Sequence, residues 1–98
     1  MKVSYNRLVE RDVQLAMRYY ARESGWQLAE DFYQDFDARV SEIAGNPKRF
    51  HFEASGLRRA NLKRFPYHIL YRERLHDVRI LVVKHDRRHP RYGMDRVR

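Results

Sequence analysis

The hydrophobic period of the chain changes near residue 57, and this change constrains the fold more than any other feature. From about Glu10 up to it, apolar residues recur every three or four positions, which is the spacing of one helix face. After it, apolar residues alternate or run continuously over short segments, as they do in strands. The order predicts an α+β chain in which a helical hairpin packs on one face of a small sheet.

Two helices with a very short connection are predicted in the first half. The first begins near Glu10 and ends at Gly25, which adopts the left-handed conformation at lower cost than other residues. Ser24 is the predicted N-cap of the second helix, with Gln27 three residues on as in a capping box. Gly45-Asn46-Pro47 ends that helix. The predicted buried faces consist of Val13, Ala16, Met17 and Tyr20 on the first helix and Leu28, Phe32, Phe36, Val40 and Ile43 on the second.

Four strands are predicted, one before the helices and three after a loop at 48–56. The three later strands form an antiparallel meander that completes the sheet, and the last of them is apolar on both faces, as a central strand is. The predicted strands are Lys2–Leu8, Leu57–Arg64, Tyr67–Glu73 and Val78–His85. The predicted core comprises Val13, Met17, Phe32, Phe36, Val40, Ile69, Ile80 and Val82. We expect one domain over residues 1–98, with an irregular and partly mobile tail from about residue 91.

Charge divides the chain near the same place. Residues 1–46 carry 6 Lys and Arg against 8 Asp and Glu, whereas residues 47–98 carry 15 against 5 and all five histidines. Arg accounts for 17 of the 21 cations, and its planar guanidinium pairs with phosphate or carboxylate. The basic half therefore predicts an anionic partner, either nucleic acid or an acidic protein. The alternative is a basic domain whose charge only prevents aggregation.

Several classes of protein are excluded by what the sequence lacks. Without cysteine there is no disulfide framework, thiolate zinc site or thiol nucleophile. No apolar run approaches the roughly 18–20 residues that span a bilayer, and the N-terminus has no signal-peptide hydrophobic region, so we expect a cytoplasmic protein. His85 and His89 flank Asp86, but the surrounding positive charge repels cations, so we predict no metal and no other cofactor. The second helix is acidic outside, so we do not expect a helix that reads a DNA groove.

The ends of the last two strands carry the candidate site. If these strands pair antiparallel, His85, Arg87 and Arg88 lie near His68 and Lys63. Cleavage of RNA by its 2′-hydroxyl needs a base, an acid and a cation at the phosphate, which His and Arg can supply. The same residues could instead bind phosphate or an acidic partner without chemistry. The tyrosines that could stack on an unpaired base are Tyr67 and Tyr92.

The arrangement resembles the RelE/ParE superfamily of toxins from bacterial type II toxin–antitoxin modules. A short strand and two helices precede FPY-x-I-x-YR, an apolar strand and H-x-RR-x-P-x-Y, and the resemblance extends to Arg96. It implies a growth-arresting toxin of the plasmid-stabilisation type, neutralised by a cognate acidic antitoxin that docks on the basic half. It is compatible with a homodimer or with a toxin–antitoxin hetero-oligomer. The residues expected to bind the target or the antitoxin are Lys63, Arg64, Arg72, His85 and Arg88.

The superfamily divides by target. The RelE-like branch is similar to ribosome-dependent mRNA endoribonucleases, and its catalytic positions fall on Arg59, His68, Arg87 and Tyr92. His68 stands where that branch has Arg, and Asn61 replaces a second cation. The ParE-like branch resembles proteins that poison DNA gyrase and lack a nuclease constellation, and the motifs here are closer to it. The sequence therefore favours a ParE-like toxin with an unassigned target; a RelE-like endoribonuclease and a non-toxic RNA- or protein-binding adaptor are the alternatives.

Overall fold

The computed structural model describes residues 1–97, and its elements follow the predicted order. In chain order they are β1 (Lys2–Tyr5), α1 (Val9–Ser24), α2 (Trp26–Gly45), β2 (Arg58–Asn61), β3 (Tyr67–Glu73), β4 (Asp77–His85) and a 3₁₀ helix (Met94–Arg96). The α+β class, with a helical hairpin between the first strand and the rest of the sheet, is confirmed. Most differences from prediction lie at element ends, since β1 and β2 are each shorter than the alternation indicated.

Gly25 alone connects the two helices. Its φ of 89° and ψ of 167° lie in a region that glycine adopts readily, so the chain changes direction within one residue. Its N–H donates to the Ala21 carbonyl at 3.0 Å. The prediction that Ser24 caps α2 is wrong, because Ser24 is the last residue of α1 and no side chain caps the start of α2. The positive φ at Gly25 is confirmed, although its ψ is far from the left-handed helical value.

Both helices bury the faces that their apolar spacing predicts. The buried members of those faces are Val13, Ala16, Phe32, Phe36, Val40 and Ile43. Met17, which was predicted to lie in the core, is only partly buried, as are Tyr20 and Leu28, and all three pack against the buried cluster. Aromatic rings then join α2 to the sheet and its turns: the ring centre of Phe32 lies 4.9 Å from that of Tyr67 and 5.4 Å from that of Phe65, both edge to face. The hairpin is therefore held on the sheet mainly by apolar burial.

The four strands are arranged in the order β1-β4-β3-β2. The last three form the predicted antiparallel meander, and β1 pairs parallel with β4, so that Lys2 lies opposite Asp77 and Tyr5 opposite Ile80. A parallel pair requires a long connection, and here the hairpin and the meander provide it. β4 thus becomes a central strand, which explains why it is apolar on both faces.

A bulge at Leu81 changes which side chains of β4 face the helices. Leu70 pairs with Val82 and Tyr71 with Ile80, which leaves Leu81 without a partner on β3. Ile80 packs in the large cluster under the helices, whereas Val82 packs on the opposite face of the sheet. Val82 is buried as predicted, but the bulge separates it from the core residues with which it was grouped.

The tail after Pro90 covers the second face of the sheet. A small cluster of Leu57, Leu70, Leu81 and Val82 lies there, and Tyr92, Met94 and Val97 pack against it. Gly93 permits the close approach: its φ is 82°, and a Cβ at this position would lie 2.6 Å from Val82 Cγ2. The tail was predicted to be irregular, whereas it contains a short 3₁₀ helix and contacts a buried cluster.

Candidate functional site

A carboxylate on α1 anchors the tail to the body of the protein. Asp12 is 4% exposed, and its Oδ2 accepts the Val83 N–H at 3.0 Å at the point where β1 no longer covers β4. Arg96 donates to both carboxylate oxygens, at 2.6 and 3.1 Å, and the Tyr92 hydroxyl donates to Oδ1 at 2.7 Å. This bidentate pair with two further hydrogen bonds satisfies a buried charge.

Sequence reasoning missed Asp12 and Arg96, although one signal was present. Asp12 occupies the same helical stripe as Val9, Val13 and Ala16, all of which are buried. An acidic residue on a buried stripe requires a partner, so its position alone indicated a buried ion pair. Nothing in the sequence identified Arg96 among the 21 cations as that partner.

Tyr92, one of the tentative catalytic residues, is held by this network. Burial and the adjacent Asp12 carboxylate raise its pKa above the ordinary value. The guanidinium of Arg88 lies 4.1 Å from the centre of its ring. Its hydroxyl is therefore engaged in holding the tail.

His68 lies on the tail side of the sheet and is 3% exposed. Its Nδ1 lies 2.8 Å from Asp86 Oδ1, and the Arg59 guanidinium reaches the same oxygen at 3.4 Å. Burial lowers the pKa of His68, and the hydrogen bond to Asp86 only partly offsets this effect. Because the ring is then neutral at neutral pH, it donates its Nδ1 proton to Asp86 and joins β3 to the loop after β4.

Lys84, which the sequence did not single out, is also buried on this side. It lies opposite His68, and its Nζ donates to the carbonyls of Pro90 and Tyr92 at 3.1 and 3.2 Å. Burial lowers its pKa. Lys84 thus holds the tail against the sheet through two main-chain carbonyls.

Two of the predicted binding cations lie elsewhere, on the side of α2. Lys63 Nζ is 2.8 Å from Glu42 Oε1, and Arg64 Nη1 is 3.1 Å from Asp31 Oδ2. Asp35 also accepts main-chain hydrogen bonds in this turn, from the N–H groups of Lys63 and Arg64 at 3.2 and 2.9 Å. The prediction placed Lys63 beside the β4 end; its ion pair instead directs it toward the acidic face of α2.

Arg72 is also separated from the other predicted residues. It is exposed near the end of β3 and lies opposite Arg79, while Tyr67 at the start of β3 lies opposite His85. The residues predicted to bind the target or the antitoxin are therefore divided among three places. The proximity of His85 and the following arginines to the start of β3 is the part that the pairing confirms.

The last residue of β4 and the segment after it form a basic loop, defined here as residues 85–91. Two histidines shape it: His85 Nδ1 accepts the Arg87 N–H at 3.0 Å, and His89 Nδ1 accepts the Arg91 N–H at 3.1 Å. The Nδ1 atom of each ring is therefore occupied within the loop, and no group of three metal-ligating side chains occurs in residues 1–97. These bonds order the main chain from which the arginine side chains extend.

Two concave surfaces flank the helices. A groove of about 670 Å³ lies on the hairpin beside β1, with the exposed rings of Tyr5 and Tyr33 in its wall. A smaller pocket of about 220 Å³, the loop pocket, lies between α1 and the basic loop. Its lining includes Leu15, Tyr19, Tyr67, His85, Arg88 and Tyr92.

Comparison with solved structures yields a relative with the same architecture. A chain described as the "Chromosomal ParDE TA system from P. aeruginosa" superposes with a TM-score of 0.76 at 22% sequence identity, over 87% of this chain and 95% of that one. The chain has the ParE-like fold. The fold that the resemblance implied is thus confirmed.

Comparisons of sequence alone identify no relative of this chain. No protein-family model matches the chain, and no curated protein matches it. Within residues 1–97, neither helix has an apolar stretch long enough to cross a membrane.

Proposed function

We propose that this chain is the toxin of a type II toxin–antitoxin module, that it is ParE-like, and that it arrests bacterial growth until an acidic antitoxin binds it. The fold shared with the ParDE structure over 87% of the chain supports the class. The excess of 15 Lys and Arg over 5 Asp and Glu in residues 47–98 supports an acidic partner. The chain would act as one domain in the cytoplasm, where the candidate targets are found.

The observation that carries the ParE-like assignment is that most of the tentative catalytic side chains are already bonded to other side chains of the protein. The Tyr92 hydroxyl and the His68 ring are each bonded to a carboxylate, and Arg59 is bonded to two side chains. A nuclease needs groups that reach its substrate. Of the four, only Arg87 has a side chain without a hydrogen bond or ion pair to residues 1–97. This argues against cleavage of ribosome-bound mRNA and leaves DNA gyrase as the proposed target.

An acidic antitoxin would pair first with cations that have no acidic partner within residues 1–97. In the basic half, the exposed cations of this kind are Arg72, Arg87, Arg88 and Arg91. Lys63 and Arg64 already pair with carboxylates of α2, so they would bind an antitoxin only by exchanging those partners. Bidentate pairs between Arg and carboxylate would then fix the orientation of the antitoxin segment.

Expression of the chain in bacteria tests the class. Induction of the chain alone should stop growth, and co-expression of the neighbouring open reading frame should restore it. Ile80→Asp, which places a charge in the core, is the matched control and should be harmless. Normal growth on induction of the chain, with circular dichroism verifying that the protein is folded, would remove the toxin assignment. Salt-sensitive binding to nucleic acid under those conditions would favour the adaptor.

Purified gyrase tests the target. The chain should inhibit supercoiling by gyrase, and addition of the antitoxin should restore it. RNA from stalled ribosomes, treated with the same preparation, should remain intact.

A second candidate, RelE-like cleavage of ribosome-bound mRNA, has one observation in its favour. Burial lowers the pKa of His68 and keeps its ring neutral, as a general base must be, and Asp86 orients it. Codon-positioned cleavage that is present in the wild type and lost in His68→Gln would establish this activity and replace gyrase as the target.

A further inference from the structure

The basic loop carries charge that no acidic side chain within residues 1–97 neutralises. Arg87, Arg88 and Arg91 are exposed and form no ion pair there. The single acid in the loop, Asp86, is already bonded to His68 and Arg59. Three guanidinium groups therefore remain available to an anion.

The main chain that carries these cations is bonded to the body of the protein near both ends. The Asp86 N–H donates to the Pro66 carbonyl at 2.8 Å, and Lys84 Nζ donates to the Pro90 carbonyl at 3.1 Å. Between these ends, His85 and His89 each accept a main-chain N–H within a turn of the loop. A partner would therefore meet a loop whose main chain is already ordered, which lowers the entropic cost of binding.

Beside this loop lies the loop pocket, whose lining combines aromatic rings with the charged side chains of Asp12, Lys84 and Arg88. Tyr19 on α1 is 49% exposed, and Leu15 one turn earlier is 44% exposed. Arg88 stands at the edge of the pocket, over the Tyr92 ring. The volume of about 220 Å³ is below the roughly 300–1,000 Å³ of pockets for drug-sized ligands. It suits one flat ring system better than a helix or a strand.

We propose that the loop pocket and the basic loop together bind single-stranded nucleic acid without cleaving it. One unpaired base would stack on Tyr19, and the neighbouring phosphates would pair with Arg88 and with Arg87 or Arg91. Stacking platforms beside a positively charged path are how proteins hold single strands without reading their sequence. A base in a duplex is already stacked on its neighbours and is not free to enter. An acidic peptide would satisfy the arginines but leave the exposed ring unused.

This inference is independent of the proposed growth arrest, because the purified full-length chain suffices to test it. Fluorescence anisotropy with a labelled single strand, as DNA and as RNA, should show saturable binding. A duplex of the same sequence should bind more weakly, and gel analysis should show the strands intact. The logarithm of affinity should decrease linearly with the logarithm of salt concentration.

Matched variants separate the pocket from general charge. Tyr19→Ala should weaken single-strand binding roughly 5- to 150-fold, while Tyr19→Phe retains it. Tyr33→Ala removes a comparably exposed ring (43%) from the groove on the other side of the hairpin and should change nothing. Arg88→Ala should weaken binding more than Arg72→Ala, which removes an exposed cation from β3. Circular dichroism would verify that each variant is folded.

Two outcomes would overturn the proposal. Equal affinity for the duplex, the single strand and poly-glutamate would mean that the loop is a general anion-binding surface. Unchanged binding in Tyr19→Ala would mean that the pocket takes no base, even if the arginines bind phosphate. Growth arrest that persists in Tyr19→Ala would leave the toxin assignment intact and separate the two activities.

Discussion

The two faces of the sheet are closed in different ways. Under the helices lies a large cluster of apolar side chains, joined by rings such as those of Phe32, Phe65 and Tyr67. Within residues 1–97, only four buried apolar residues form the cluster under the tail. The three polar residues that are buried as whole residues in the same range all contact the tail or the basic loop. They are Asp12, His68 and Lys84.

The hairpin and the tail therefore depend on different forces. Burial of apolar surface is non-directional and tolerates changes of similar volume. Buried ion pairs and hydrogen bonds are directional, and the loss of one partner leaves the other uncompensated. Replacement of a single buried polar residue on the tail face should therefore destabilise the protein more than the small size of its apolar cluster indicates.

The largest expected effect is that of Asp12→Ala. The substitution leaves the Arg96 guanidinium buried without its carboxylate, so we expect a loss of about 3–5 kcal/mol in the free energy of unfolding. Urea denaturation measures it. The double variant Asp12→Ala/Arg96→Met, which has no buried charge at either position, should recover part of the loss. A single-variant loss below about 1 kcal/mol would show that the tail is not held by this pair.

Ile80→Ala tests the apolar face. Ile80 is fully buried in the large cluster, so the truncation should cost about 2–5 kcal/mol and leave the tail in place. Thermal unfolding gives the first quantity, and hydrogen exchange at Met94 to Arg96 gives the second. An unchanged melting curve would mean that the assignment of strand faces around the bulge is wrong.

Gly93→Ala tests the contact between tail and sheet. The new Cβ would meet Val82 Cγ2 at 2.6 Å, so the tail must shift, and we expect a cost of about 1–3 kcal/mol. Gly56→Ala is the matched control, because Gly56 has a similar φ of 86° but no atom within 4 Å of the added Cβ. Equal losses in the two variants would assign the cost to backbone strain alone.

The pH dependence of stability should report His68. Its pKa in the folded protein is lowered from the ordinary 6.5, first of all by burial, so the unfolded chain binds this proton more readily. The contribution of His68 is therefore fully present above about pH 6.5 and decreases as the pH falls toward the lowered pKa. His68→Gln should flatten this part of the profile in chemical denaturation, and substitution of the exposed His76 should not. A profile that is the same in both variants would contradict a buried neutral ring.

The smallest effect is expected for Lys63→Ala. Its ion pair with Glu42 is 2.8 Å long, but the Lys63 side chain is 64% exposed, so water screens the interaction. We expect a change of about 0–1 kcal/mol in urea denaturation. A loss as large as that of Asp12→Ala would remove the distinction between exposed and buried pairs in this protein.

Much of the fold was predictable because local periodicity reports it. The stripe that includes Phe32, Phe36 and Val40 defined the buried face of α2, and the bounds of β3 agree with prediction at both ends. The candidate site was less predictable. His85 and the arginines after it lie beside the start of β3 as expected, but Lys63 pairs with α2 and Tyr92 with α1. Sequence patterns do not report which of many charges will pair, because pairing depends on distances set by the whole fold.

The amino-acid pattern on its own established a helical hairpin followed by an antiparallel meander and a basic second half. Each of these depends on neighbours in the chain: apolar spacing, turn residues and local charge. Three features required the folded chain: the parallel pairing of β1 with β4, the bulge at Leu81, and the Asp12–Arg96 pair between residues 84 positions apart. All three depend on contacts between segments that are distant in the chain, and spacing between neighbouring residues does not report such contacts.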